Sequence, residues 1–226
     1  MSATADCYIV GAGGFGLEVL QYTRDALDAG WKYRAVGFLD DVVAPGTSID
    51  GDQCVVGPCE PGILAGKTVV IALGSPTTRR ALAHRVALAG GTIVTLVHPT
   101  AYIAPSASIG EGSLLCPFTL VGVRATIEAN VAMNVYASVG HESTIGADCV
   151  LSPYSAILGN VTVGPECFVG THATVTPGVI IGSSSKLSAG AVAYRHAPPG
   201  SLVAGNPGRG RVMFRPSPAA PASLDL

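Results

Sequence analysis

The chain of 226 residues holds 29 glycines and 16 prolines, with 48% hydrophobic and only 12% charged residues, a composition too apolar for disorder and too glycine-rich for a helical bundle. Its formal charge of −2 gives no general electrostatic case for nucleic acid or an anionic membrane as partner. No apolar run reaches the roughly 18 to 20 residues of a membrane span and no signal-type stretch opens the chain, so a cytosolic protein is expected. The six cysteines (Cys7, Cys54, Cys59, Cys116, Cys149, Cys167) are scattered through a chain that needs no staples, so reduced thiols are the default. Cys54 and Cys59 would make half of a metal site with no second pair to complete it, and no metal is expected.

Residues 1 to 98 alternate strand and helix. Cys7 to Val10 is a short buried strand, Gly11 to Gly16 a glycine loop, and Leu17 to about Ala29 an amphipathic helix. The strand Ala35 to Leu39 ends at Asp40-Asp41, and a Gly/Pro-rich stretch from Pro45 to Gly66 follows. Thr68 to Leu73 is another strand, Thr77 to Ala89 a helix, and Thr92 to Val97 a last strand. This order predicts a small parallel α/β unit that caps the remainder of the chain. Gly11, Gly13 and Gly16 match the dinucleotide fingerprint, with Asp40 at the end of the next strand. Four recognisable strands leave little room for the two halves of a nicotinamide-binding domain, so a half-site for a nucleotide attached to a sugar is the favoured reading. Glycines that serve only a tight turn are the alternative.

From Ile103 an aliphatic residue returns at every sixth position: Ile109, Leu115, Val121, Ile127, Met133, Val139, Ile145, Leu151 and onward to Leu187. Six residues along a helix would scatter these side chains over three faces, whereas in extended chain six is even and all share one face. Two positions earlier stands Ala, Ser, Thr, Val or Cys, so large and small side chains alternate inward. This pattern resembles the hexapeptide repeat of the left-handed parallel β-helix, in which three hexads make one triangular coil. Fifteen hexads would build five coils, a prism about 24 Å tall. Cys149 and Cys167, eighteen residues apart, would stack in neighbouring coils. The expected organisation is 1–98, a Rossmann-like α/β half-domain; 99–193, the β-helix; and 194–226, a cap and a Pro/Ala/Ser-rich tail, disordered in part.

In the hexad around Val139, His141 and Glu142 fall on an outward corner. A neutral imidazole can take a proton from an attacking hydroxyl or amine, and a carboxylate beside it fixes its tautomer and raises its basicity. A surface His beside a Glu is also common and usually inert. His84, His98 and His196 have ordinary structural readings, and His172 sits on another outward corner. A carbonic anhydrase built on the same prism would need three zinc-binding histidines, and the repeat holds only His141 and His172.

Ile9 to Gly16, Gly37-Phe-Leu-Asp-Asp41, Ile71-Ala-Leu-Gly74, Asn134, His141 to Gly146, Gly159-Asn-Val161 and Ala204-Gly-Asn-Pro207 together resemble the bacterial hexapeptide-repeat sugar acyltransferases. Within them they match the branch of nucleotide-linked amino-sugar N-acetyltransferases and sialic-acid O-acetyltransferase-like proteins. The resemblance covers roughly Tyr8 to Arg209. It implies a cytoplasmic homotrimer that moves acetyl from acetyl-CoA to the amine of a nucleotide-linked amino-sugar, such as a 4-amino-4,6-dideoxyhexose. It further implies His141 as general base and Glu142 as its partner. Gly13, Gly14, Phe15, Asp40, Asp41 and Gly74 would lie along the nucleotide, Asn134 would face the acceptor, and Thr171, Ala189 and Gly190 would contact acetyl-CoA. Some relatives carry a second His where this chain has Val150 and a loop His where it has Phe15. Transfer to a sugar hydroxyl, as on sialic acid, and a catalytically idle nucleotide-binding scaffold are the competing readings.

Overall fold

The computed structural model describes residues 4–214. The first unit is a three-layer α/β fold. Strand β1 (Ala5–Val10) runs into Gly11, whose φ is +104° and where a Cβ would meet the Ala72 carbonyl oxygen at 2.8 Å, so glycine is required there. Helix α1 (Gly14–Asp28) turns Val19, Leu20 and Ala26 onto the sheet. It is followed by β2 (Tyr33–Leu39), a hairpin of β3 (Ser48–Asp50) and β4 (Gln53–Gly57), and the single-turn α2 (Pro61–Leu64). Strand β5 (Thr68–Ile71), helix α3 (Pro76–Leu88) and β6 (Thr92–Ile93) complete the unit. The sheet order is β3-β4-β2-β1-β5-β6. The stretch from Pro45 to Gly66 thus holds a hairpin and a helical turn, elements too short for periodicity to reveal.

The strand expected over Thr92 to Val97 divides in two. Thr92–Ile93 closes the α/β sheet on β5, whereas β7 (Leu96–Val97) pairs with Leu114–Leu115 and begins the prism. From there to Val192–Ala193 two-residue strands recur every six residues, each paired in parallel with the strand eighteen residues on. They form three flat sheets, the faces of the prism. The repeat holds at Ala193 in place though not in size, since Ala193 pairs with Val175 and is buried. Every aliphatic residue of the repeat from Leu115 to Leu187 belongs to one continuous core, with Ile103 and Ile109 packed against its open end. Cys149 and Cys167 do stack inside it, the Cys167 N–H reaching the Cys149 sulfur at 3.3 Å. Two further strands, Ser201–Ala204 and Arg209–Val212, extend the first face antiparallel to each other. The tail beyond Phe214 lies outside the described residues.

The α/β unit does more than cap the first coil. It lies along the prism, where Leu96, Leu114 and Cys116 join Ile9, Val19 and Phe38 in one core. Arg79 of α3 is completely buried in the seam, donating to the carbonyls of Ile71 (2.7 Å) and Leu73 (3.3 Å) on one side and to Asn130 O (3.0 Å) and Oδ1 (2.8 Å) on the other. Asn130 in turn donates to Asp148 at 2.6 Å. Burial draws the guanidinium down to about 10 and pushes the Asp148 carboxyl up. Arg80 pairs with Glu166 at 2.7 Å, three coils into the prism.

Removing the Arg79 side chain orphans several buried acceptors at once. Arg79→Ala should lower unfolding stability by about 3 kcal/mol or more in denaturant titration. Truncation of Arg34, whose pair with Asp6 is exposed, should leave the midpoint nearly unchanged.

Candidate active site

From Glu111-Gly112 to Ala189-Gly190 each prism corner is a two-residue turn whose second residue is left-handed. Phe118, Arg124, Asn130, Tyr136, Glu142, Asp148, Tyr154, Asn160, Glu166, His172 and Ser184 all have φ between 55° and 62°. The N–H of that residue donates to the corner carbonyl one coil back, as in Glu142 to Val123 and Asn160 to His141, both 2.9 Å. Corner side chains therefore stand in columns at intervals of eighteen residues.

His141 and Glu142 occupy the second corner, between Arg124 of the preceding coil and Gly159-Asn160 of the next. The His141 Nδ1 lies 3.0 Å from Glu142 Oε2, and Arg124 Nη2 donates to Glu142 Oε1 at 2.6 Å. Arg124 first, and His141 second, hold the Glu142 carboxyl below its ordinary range. An ionised carboxylate only accepts, so Nδ1 carries the hydrogen, which in the neutral ring leaves the lone pair on Nε2. The imidazole, 60% exposed, lies over Gly159: a Cβ there would clash with Nε2 and come within 2.6 Å of Cε1. The ring occupies the space that a side chain at 159 would take, so any larger residue there must displace it. The arrangement is a base with a free lone pair, a fixed tautomer and a charged orienting chain, open to a partner.

The other expected site residues fall into two groups. Asn134, Thr171, Ala189 and Gly190 lie along the first corner, a different edge of the prism from His141. There the Asn134 amide donates to Leu151 O at 3.0 Å and Gly190 N–H to Thr171 O at 2.8 Å. That edge also carries a column of stacked rings, Phe118 on Tyr136, Tyr136 on Tyr154, and Tyr154 on His172, with centroids 4.9, 4.8 and 4.9 Å apart. Val150 is buried and does not open onto the His141 corner.

Gly13, Gly14, Phe15, Asp40, Asp41 and Gly74 gather at the carboxyl end of the α/β sheet. There β1 lies between β2 and β5, the reversal of strand order at which such sheets bind ligands. Gly16 is explained by packing, since a Cβ there would collide with the Gly11 carbonyl, but at Gly13, Gly14 and Gly74 nothing lies within 4 Å of an added Cβ. Those three leave open backbone beside the start of α1 and the loop into α3, with Gly13 the N-cap of α1. Asp40 is more committed than its place at a strand end suggests. Its carboxylate accepts Ala12 N–H at 2.7 Å, Val42 N–H at 2.7 Å and Val43 N–H at 2.8 Å. Burial acts to raise its pKa, but these donors outweigh burial and hold it low. Asp41 accepts from Arg85 and Cys59 N–H, both at 2.8 Å. Both acids shape the crevice wall, which Gly11, Leu73 and Arg85 share. Cys59 is buried there and its thiol pushed up to about 12, chiefly by burial. Among the described residues no group of three or more His, Cys, Asp or Glu could hold a metal, and no helix is long and apolar enough to cross a membrane.

Sequence reasoning misses Arg124 and gives Gly159 no role beyond its place in a motif, although stepping eighteen residues either way from the His141-Glu142 pair reaches both. Arg79 gives no signal, because a helical arginine is ordinarily solvated.

Comparison with known proteins agrees with this layout. Residues 6–86 match the PglD N-terminal domain, residues 142–177 the bacterial transferase hexapeptide repeat, and residues 160–195 the hexapeptide repeat of succinyl-transferase. A UDP-N-acetylbacillosamine N-acetyltransferase of Bacillus subtilis is 32% identical over 112 residues, 47% of this chain and 49% of that protein, so the match spans about half of the curated relative. The acetyltransferase domain of PglB from Neisseria gonorrhoeae superposes with a TM-score of 0.82 at 29% identity, covering 92% of this chain and 100% of that one. PerB from Caulobacter crescentus, solved with CoA and GDP-perosamine, gives 0.82 at 28% identity over 92% and 98% of the two chains. The fold is thus a Rossmann-like half-domain followed by a left-handed parallel β-helix, and the resemblance to hexapeptide-repeat sugar acetyltransferases holds across both parts.

If the imidazole owes its place to the missing side chain at 159, Gly159→Ala should displace it. A crystal structure of that variant should show the 3.0 Å contact between His141 and Glu142 broken while the surrounding coils keep their register. An unmoved ring would contradict the steric argument.

Proposed function

We propose that this chain transfers acetyl from acetyl-CoA to the amino group of a nucleotide-linked amino-sugar, a 4-amino-4,6-dideoxyhexose, with His141 as general base. The observation that carries the reading is the Arg124–Glu142–His141 chain poised over Gly159, with Nε2 unengaged. The acceptor nitrogen attacks the thioester carbonyl carbon while Nε2 takes its proton. The tetrahedral adduct then breaks its carbon–sulfur bond, and the imidazolium returns the proton to the departing thiolate, leaving the amide and CoA. Glu142 stays ionised throughout and stabilises the imidazolium.

The α/β unit, which ends with the strand Thr92–Ile93, holds the nucleotide at Gly13, Gly14, Phe15 and Gly74, with Asp40 and Asp41 framing the crevice. Residues 99–193 carry the chemistry, and 194–214 cap the prism. The PerB complex with CoA and GDP-perosamine supports both substrate classes. The working form is a homotrimer of a soluble, cytoplasmic enzyme. Asn134, Thr171, Ala189 and Gly190 occupy one edge of the prism and His141 another, so an acceptor and a thioester that touch both sets must lie between two chains. An exposed imidazole also becomes a desolvated base only when a neighbour closes over it.

Product analysis by mass spectrometry over UDP-, GDP- and dTDP-linked amino-sugars with acetyl-CoA should find one acetylated amine. His141→Ala or His141→Asn should cut turnover by about a hundredfold or more with the oligomer intact; near-normal turnover would remove the assigned base. Acetylation of hydroxyl but not amine acceptors would overturn the choice of nucleophile. Co-assembled His141→Ala and Asn134→Ala chains should recover activity that neither shows alone, which a site within one chain would not permit.

A further inference from the structure

Four rings stand in register on the edge that carries Asn134. Phe118, Tyr136, Tyr154 and His172 are left-handed corner residues, and the coil before holds each of the last three by its N–H, as in Tyr136 to Pro117 O at 3.2 Å and Tyr154 to Val135 O at 3.1 Å. Neighbouring ring planes lie within 15° of parallel. Tyr136 is held between Phe118 and Tyr154, and Tyr154 between Tyr136 and His172, so both faces of both tyrosines are covered. A sugar or a base cannot stack on them and meets ring edges and hydroxyls instead. Tyr136 is 45% and Tyr154 48% exposed, and neither phenol makes a hydrogen bond among the described residues. An exposed phenol is satisfied by solvent, but once a second chain covers this edge it must find a partner in the closed cleft or stay buried and unpaired.

The two-chain site sets this edge against the His141 edge of a second copy. Edges that meet along their length run parallel to the symmetry axis, and rotation about that axis leaves every residue at its own height. With a rise of about 4.8 Å for each coil of eighteen residues, Tyr136 of one chain stands about 1.3 Å below the level of the other chain's His141 and Tyr154 about 3.5 Å above it, whereas Phe118 and His172 lie about 6 and 8 Å away. Asn134, which faces the acceptor in the reading above, is two residues from Tyr136, and Thr171, on the thioester side, follows Tyr154 up the edge. Tyr136 is thus the phenol on the acceptor's side of the base.

We propose that Tyr136 positions and selects the acceptor sugar in the second chain's site, its phenol donating to the sugar hydroxyl beside the reacting amine. The inference rests on the acetyl-transfer reading and the two-chain site above and adds the residue that reads the sugar. In a 4-amino-4,6-dideoxyhexose the carbon bearing the amine has two neighbours in the ring. C3 carries a hydroxyl and C5 the methyl group, so the 3-hydroxyl is the one hydroxyl next to the amine that a donor can reach. The stack keeps the phenol in place, since the ring cannot tilt without parting from Phe118 and Tyr154.

Titration calorimetry of the full chain with UDP-, GDP- and dTDP-linked 4-amino-4,6-dideoxyhexose, and with the 3-deoxy analogue of whichever binds most tightly, tests this without any need for turnover. The wild type should favour the 3-hydroxy compound by at least about tenfold, and Tyr136→Phe, which keeps the stack, should erase that preference by weakening the 3-hydroxy compound alone. A preference that survives in Tyr136→Phe, a wild type with no preference, or one that binds none of the three sugars would overturn the assignment. Co-assembled Tyr136→Phe and His141→Ala chains should recover sites with the wild-type KM for the acceptor, because each chain supplies what the other lacks. A KM that stays at the Tyr136→Phe value would put the phenol in its own chain's site and contradict the proposal. A wild type that shows the preference yet transfers no acetyl would leave Tyr136 assigned and overturn the proposed reaction instead.

Discussion

A left-handed residue at every sixth position from Gly112 to Gly190, most of them carrying a side chain, is the constraint on which this molecule rests. Left-handed conformation costs roughly 1 to 2 kcal/mol for a residue with a Cβ, yet eleven such residues stand at the corners. The corner N–H bonds to the coil before and the unbroken aliphatic interior offset that cost, since each turn sharp enough to close a triangle delivers the next large side chain inward. The chain gains control of side-chain direction. A left-handed corner residue projects from the edge, and eighteen residues later the next one projects directly beside it.

The three edges have thereby acquired three chemistries. One carries stacked aromatic rings and Asn134. One carries Arg124, Glu142 and His141 and ends at Arg195. The third, with Asn130, Asp148 and Glu166, is sealed to the α/β unit by Arg79 and Arg80. Helix α3 couples the two halves, since Arg79 and Arg80 reach the prism while Thr78, Ala81, Leu82 and Arg85 border the crevice at the sheet end. The backbone just before Gly74 is fixed from behind by the guanidinium that also fixes the prism corner.

The prism is legible in the sequence because its signal is redundant: the same inward pair recurs at each hexad, and one six-residue period excludes a helix. His141 and Glu142 can be placed on an edge by counting, and Cys149 above Cys167 likewise. The split of Thr92 to Val97 between two sheets is not legible, because both pieces are apolar strand and only long-range pairing distinguishes them. The commitment of Asp40 to the backbone is equally hidden, since a carboxylate at a strand end looks the same in sequence whether it serves a ligand or three backbone N–H groups. Arg79 is invisible for a related reason. Its acceptors are main-chain carbonyls and Asn130, which sequence cannot bring together with it.

The central claim is that one exposed imidazole becomes a base where two copies of the chain meet. A crystal structure of the oligomer with CoA and a nucleotide-linked amino-sugar tests it most directly. The account predicts the acceptor nitrogen within hydrogen-bonding distance of His141 Nε2 and a neighbouring chain's Asn134 edge closing the cleft. An imidazole left facing bulk water, with the sugar held elsewhere, would contradict it.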